Sequence, residues 1–248
     1  MSDPLDTRHA AIDTAIEDHL DSPVDLVPED RSSHHLRGQL LFTVYEAVGV
    51  DPTVDDVLPA AVAIELSTLH LRLHSRIDEE TTDVDQAILH GDYLQAKAFE
   101  ALARIPASPQ INARCYRVLA GACIDAYGRS LAARDDPREP LIGAATALAG
   151  VVADVDHCLQ RRLDECGAAL ERAIAIGIDG RTLTEATHSG GESTVVEPVS
   201  EELPSSIRGA IDELLDCVPD ERAVLTNHRL TTLFEEALFR NESLSPER

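Results

Sequence analysis

Apolar residues recur at helical spacing along almost the whole chain. Leu36, Leu40, Leu41, Val44, Ala47 and Val48 follow the i, i+4, i+8 rule, and Gly49 stops that helix. Pro59 opens the next run, where its missing N–H costs nothing, and Val62, Leu66, Leu69, Leu73 and Ile77 form the stripe. Further helices are predicted near 84–104, 112–133, 141–153 (with room to continue to Leu159), 163–178, 207–215 and 222–239, plus one near 10–20. Ile105-Pro106, Asp135-Asp136-Pro137, Gly180 and Val218-Pro219-Asp220 punctuate them. The segment 187–206 is rich in Gly, Ser, Pro and Glu and reads as a flexible loop; a strand is conceivable only at 193–199. With no fixed-period repeat, the pattern predicts an all-α bundle, a single domain over 1–248.

Charge narrows the function. Forty-five acids against 21 bases give a net charge of −24, and Lys97 is the only lysine. Such a surface repels nucleic acid and anionic lipid, whose recognition needs a basic footprint. Acid-rich and lysine-poor composition fits a salt-filled cytoplasm, where screening acts within about 3 Å at 1 M ionic strength; an extreme halophile is the expected source, an acidic mesophile the plainer alternative. With four Phe, four Tyr and no Trp, the core must come from Leu, Ile, Val and Ala. The five cysteines form no CxxC pair and read as buried thiols. The acidic N-terminus lacks an apolar segment, and the 141–153 run is too short for a membrane span, so a cytoplasmic location is expected.

Several segments carry a family likeness. Leu58-Pro59-Ala60-Ala61-Val62-Ala63-Ile64-Glu65-Leu66, followed by Leu73-His74, resembles the trans-prenyl diphosphate synthase (polyprenyl synthetase) family just before its first aspartate-rich motif, DDxxD. Leu36-Arg37 stands where that family has GGKRLRP, and the run from Gly91 to Leu102 resembles its GDxLLAxAFxxL helix. Cys166-Gly167, Leu170 and Ala173 are similar to the helix leading to the second motif, and 210–239 to the C-terminal helices. The resemblance spans about 30–240 and implies a helical bundle of the isoprenoid synthase type. It also implies the family chemistry: an allylic diphosphate loses pyrophosphate, helped by Mg²⁺ held on two facing Asp-rich motifs, and the cation is captured by a second isoprenoid.

The residues at those positions depart from the pattern. The first motif aligns with Ser75-Arg76-Ile77-Asp78-Glu79 and the second with Ile178-Asp179-Gly180-Arg181-Thr182. The diphosphate-gripping Lys-Arg aligns with His34-His35, leaving Arg37, and a common Gln aligns with Arg129. A guanidinium replacing a carboxylate adds several kcal/mol of repulsion toward a cation at a few ångströms, if the local dielectric is ~20. The expectation is therefore a non-catalytic subunit or pseudoenzyme of isoprenoid metabolism with no cofactor. Its partner would be a second copy or an active prenyl diphosphate synthase. The alternatives are an active prenyltransferase with an atypical Mg²⁺ site, using carboxylates at 78, 79, 83 and 85, and a metal-free binder of a prenyl diphosphate or other anion.

Three uses of the substituted residues are distinguishable. Arg76 could pair with Asp179 across the cleft where metal bridges stand in the family. His34, His35, Arg37, Arg76, Arg129 and Arg181 could line a cationic diphosphate pocket; satisfaction by the abundant acids is the plainer reading. His70, His74 and Asp78 lie at i, i+4 and i+8 on one helix face, a spacing able to hold zinc. The HExxH glutamate is absent, however, and His74 is the family's own histidine, so a metal there is not the leading expectation.

Overall fold

In a computed structural model, backbone is described for residues 4–20, 35–75, 84–133, 141–188 and 203–239, and side chains for 7–20, 35–75, 84–128, 141–175 and 203–238. These residues form helices α1 (Pro4–His19), α2 (Leu36–Val48), α3 (Val54–Ser75), α4 (Val84–Ala103), α5 (Pro109–Ala133), α6 (Leu141–Val152), α7 (His157–His188), α8 (Ser205–Leu215) and α9 (Asp220–Phe239), with no strand among the described residues. The possible strand at 193–199 lies outside them.

One apolar cluster runs through all nine described helices, built mostly from Leu, Ile, Val and Ala, with Phe42 and Phe234 its largest fully buried members. α3 lies along α4, α6 packs between α2 and α7, α8 closes on α7, and α9 lies against α2. The crossing of α6 and α7 depends on missing side chains: a Cβ on Gly167 would come within 1.9 Å of Thr146 Oγ1 and 3.1 Å of the Gly143 backbone. Cys115, Cys123, Cys166 and Cys217 are buried thiols, and burial lifts the first two to about 11. Cys158 is exposed, against the expectation for all five.

The boundaries that differ from the sequence pattern have local causes. α3 begins at Val54, so Pro59 sits within the helix and not at its first position. Asp55 and Asp56 occupy the first turn, where the helix dipole favours them, and Thr53 Oγ1 donates to Asp56 at 2.6 Å. The helix thus starts early enough to enclose the proline. α5 starts at Pro109, three residues ahead of the pattern, with Ser108 Oγ accepting the Ile111 N–H at 3.3 Å. α6 does not continue to Leu159. Asp154 takes a left-handed φ of 48°, and Asp156 accepts the N–H groups of Cys158 and Leu159 at 2.8 and 3.0 Å, starting α7. α7 passes through Gly180, because one interior glycine costs only about 1 kcal/mol. Gly49 does end α2, but in extended backbone (φ −72°); glycine is needed there because a Cβ would meet Tyr45 O at 2.8 Å. Arg222 of α9 donates to the C-terminal carbonyls of Glu46, Ala47 and Gly49 at 2.8, 3.3 and 2.7 Å, capping α2 from across the fold.

Candidate functional site

α3 carries two ionisable groups into the interior, five residues apart. Glu65, in its middle, is a carboxylate in an otherwise apolar stretch. His70, nearer its C-terminal end, is only 4% exposed. Each organises a cluster, and the two clusters differ in chemistry.

The first cluster gathers at the start of α2. His35 precedes that helix in a left-handed conformation (φ 49°), which turns its ring inward. His35 Nε2 lies 2.8 Å from Asp13 Oδ1 of α1, and Nδ1 lies 3.7 Å from Glu65 Oε2. Glu65 Oε1 also accepts the Gly38 N–H at 2.7 Å. Burial raises the Glu65 pKa, but His35, Arg37 and the Gly38 N–H outweigh it, so the carboxyl is held below its usual range. Burial likewise works against a charged His35, and Glu65 and then Asp13 overcome it, raising the imidazole above 6.5. His9 stacks at 4.8 Å from the His35 ring and reaches Asp13 Oδ2 at 3.2 Å. His35 sits here between the buried Glu65 carboxylate and the half-buried Asp13, with Arg37 buried beside them.

The second cluster lies where α3, α4 and α5 meet. The His70 and His74 rings are 4.3 Å apart, one turn from each other as their spacing predicts. Tyr127 of α5 touches both: its hydroxyl is 2.5 Å from His70 Nε2 and 2.7 Å from His74 Nδ1. On the far side of the rings, α4 presents Gly91 and Asp92; ligand atoms of His70, His74 and Asp92 lie within 4.8 Å of one another. A Cβ on Gly91 would fall 2.3 Å from His74 Nε2 and 3.2 Å from His70 Nδ1, so the imidazoles occupy the space a side chain would need. Burial first, then the neighbouring His74, drops His70 to about 4, against the opposing pull of Gly91 backbone and Asp92. Burial also pushes the Tyr127 hydroxyl up to about 12. At neutral pH this cluster holds a neutral His70 and a neutral phenol.

Of the residues singled out in the sequence, the structure brings His35 and Arg37 together around Glu65, and His70 to His74. Ser75 ends α3, its Oγ donating to Arg72 O at 3.0 Å. His34, Arg76, Asp78 and Glu79 lie outside the described residues. Arg129 falls in α5, and Ile178, Asp179, Arg181 and Thr182 in α7, with side chains outside the described set. The described donors next to Ser75 are two imidazoles and one carboxylate, a set suited to zinc-like ions and poorly to Mg²⁺, which takes oxygen ligands. Asp13, Glu65, Asp92 and Tyr127 went unrecognised as cluster members. The one local signal was Gly91 inside a helical run, which marks close approach of a neighbour.

The whole architecture is shared with prenyltransferases. A farnesyl/geranylfarnesyl diphosphate synthase from Zymomonas mobilis superposes with a TM-score of 0.68 at 20% identity, covering 94% of this chain and 97% of that one. A decaprenyl diphosphate synthase from Rhodobacter capsulatus gives 0.65 at 17% identity over 95% and 96%. The geranylgeranyl pyrophosphate synthetase of Geoglobus acetivorans gives 0.59 at 20% identity over 98% and 92%. The fold is therefore the all-α isoprenoid synthase fold. In sequence, a geranylgeranyl diphosphate synthase from Methanosarcina mazei is 31% identical over 147 residues, 50% of this chain. The match spans 44% of that relative, less than half its length. No family model matches the chain.

Proposed function

We propose that this chain is a polyprenyl-synthetase-like protein of isoprenoid metabolism that does not itself ionise an allylic diphosphate, and that it acts as a non-catalytic subunit. The observation that supports this most is the inward engagement of the α2 start. His35 faces Asp13 and Glu65, and Arg37 lies buried beside Glu65, where the resemblance implies a diphosphate grip. Cations neutralised by internal carboxylates have little field left for a ligand. The residues Ser75-Arg76 and Ile178-Asp179-Gly180-Arg181 point the same way, since they supply few of the oxygen ligands that Mg²⁺ demands.

The proposed partner is an active prenyl diphosphate synthase or a second copy of this chain. Exposed apolar side chains on the outer helices, Leu89 of α4 and Ile124 of α5, suit such a contact. None of the described helices is long and apolar enough to cross a membrane. The acid-rich surface supports work in a salt-rich cytoplasm, away from nucleic acid.

The test is turnover of geranyl diphosphate with isopentenyl diphosphate, in molar KCl with Mg²⁺. The chain alone forms no longer product, and an active synthase captured with it from native cells changes product length or stability when it is added. Elongation by the purified chain alone overturns the proposal. Calorimetric binding of geranylgeranyl diphosphate in EDTA would instead favour the metal-free binder.

A further inference from the structure

The second histidine cluster has one feature that its hydrogen bonds leave unexplained. His70 Nδ1 is buried, lies beside the Gly91 backbone, and makes no hydrogen bond. One proton arrangement accounts for the contacts around it. With its proton on Nε2, His74 donates toward Ile88 O at 3.5 Å and accepts the Tyr127 hydroxyl at Nδ1. Tyr127 oxygen then accepts from His70 Nε2–H, and His70 Nδ1 is left with a bare lone pair. A buried acceptor without a donor costs about 1–3 kcal/mol. His70 Nδ1 and His74 Nε2 both flank the bare Cα of Gly91, and the next residue, Asp92, brings a carboxylate into the same cluster.

We propose that His70 Nδ1, His74 Nε2 and the Asp92 carboxylate bind a divalent transition ion of the zinc type, with Tyr127 orienting both imidazoles. The site does not depend on whether the chain transfers prenyl groups. Two imidazoles and a carboxylate are a borderline-soft N₂O set that favours zinc over magnesium or calcium. Zinc holds such ligands at ~2.0–2.2 Å, so tetrahedral donors stand about 3.3 Å apart. One donor atom from each of the three residues already lies within 4.8 Å of the others, and the exposed Asp92 side chain supplies the remaining closure. Metal on His74 Nε2 moves that ring's proton to Nδ1. Both outer N–H groups then donate to the Tyr127 oxygen, the outer-sphere partner that ligating histidines ordinarily have. His74 is half-buried and Asp92 exposed, so a fourth position stays open to water or an anion. The ion would staple α3 to α4 one residue before Ser75, with no carboxylate from the Asp-rich positions.

The test uses the full chain, purified without a metal-affinity tag, treated with EDTA and returned to metal-free molar KCl. Zn²⁺ is titrated by calorimetry and Co²⁺ by its visible d–d absorption. One ion binds with tetrahedral Co²⁺ intensity, and Zn²⁺ raises the thermal midpoint. His70→Gln and His74→Gln each weaken binding at least tenfold, and Tyr127→Phe weakens it about 10–100-fold. Gly91→Ala displaces His74 and abolishes the Co²⁺ band. Asp92→Asn, a surface change that leaves folding intact by circular dichroism, weakens binding without loss of helix. His9→Ala and Cys158→Ser remove the other described clusters and thiols open to a metal, and leave the ion in place. Absence of binding at 0.1 mM Zn²⁺, or binding unmoved by His74→Gln and Asp92→Asn but lost in His9→Ala or Cys158→Ser, overturns the assignment.

Discussion

Two histidine clusters built against one helix differ in the neighbours that set their protonation. Around Glu65, two carboxylates face His35 from α1 and α3 and raise its pKa against the effect of burial. Around His70, the hydrogen-bonded partner is a phenol and the nearest ring another imidazole, and the exposed Asp92 carboxylate is too weak a counterweight, so burial prevails and the ring stays neutral. Burial disfavours the charged form in both places; what differs is how strongly a neighbouring anion opposes it. The lesson is that histidine content says little about a site until its neighbours are known. The first cluster is a closed ion pair, and the second keeps a lone pair available.

The largest expected effect that separates them is Glu65→Ala. It strands His35 and the Gly38 N–H, and should cost about 3–5 kcal/mol in urea unfolding. A loss below ~1 kcal/mol would mean that the α1–α2–α3 junction does not depend on this carboxylate. Tyr127→Phe removes the hydroxyl bridging two imidazoles and should cost about 1–2 kcal/mol without metal, less than Glu65→Ala because no charge is left uncompensated.

A pH series sharpens the contrast through its sign. His35 has a raised folded pKa, so its contribution is fully present below about pH 6.5 and is lost as pH rises through that higher value. His70 has a folded pKa of about 4, so its contribution is present above about pH 6.5 and is lost as pH falls toward 4. The stability gap between wild type and His35→Gln should therefore close toward alkaline pH, and that for His70→Gln toward acid pH. Parallel curves would remove the distinction between the clusters.

The smallest effect concerns salt. Raising KCl to molar levels should stabilise the wild type by relieving repulsion among 45 acids. Because Glu65 and His35 are shielded from solvent, Glu65→Ala should gain the same salt increment to within ~0.5 kcal/mol. A salt increment that disappears in the variant would place the effect in this cluster and not on the surface.

How much of this was legible beforehand depends on the range of the interaction. The i, i+4 relation of His70 and His74 is local and was readable, as were the α2 stripe and the extent of α4. Helix ends were less so. Pro59 and Gly180 were read as boundaries, yet each lies inside a helix, since the loss of one hydrogen bond or one unit of propensity is small beside the turns on either side. The partners Glu65, Asp13, Asp92 and Tyr127 sit 18 to 57 residues from His35, His70 or His74, and no periodicity carries that information.

The sequence by itself determined the all-helical class, the Leu-Ile-Val-Ala core and the acidic surface, because helical period and composition are properties of neighbouring positions and totals. Only the tertiary structure decided which imidazole pKa is raised, which is lowered, and which carboxylates face each ring. Those outcomes depend on distances of a few ångströms between different helices, which packing alone establishes.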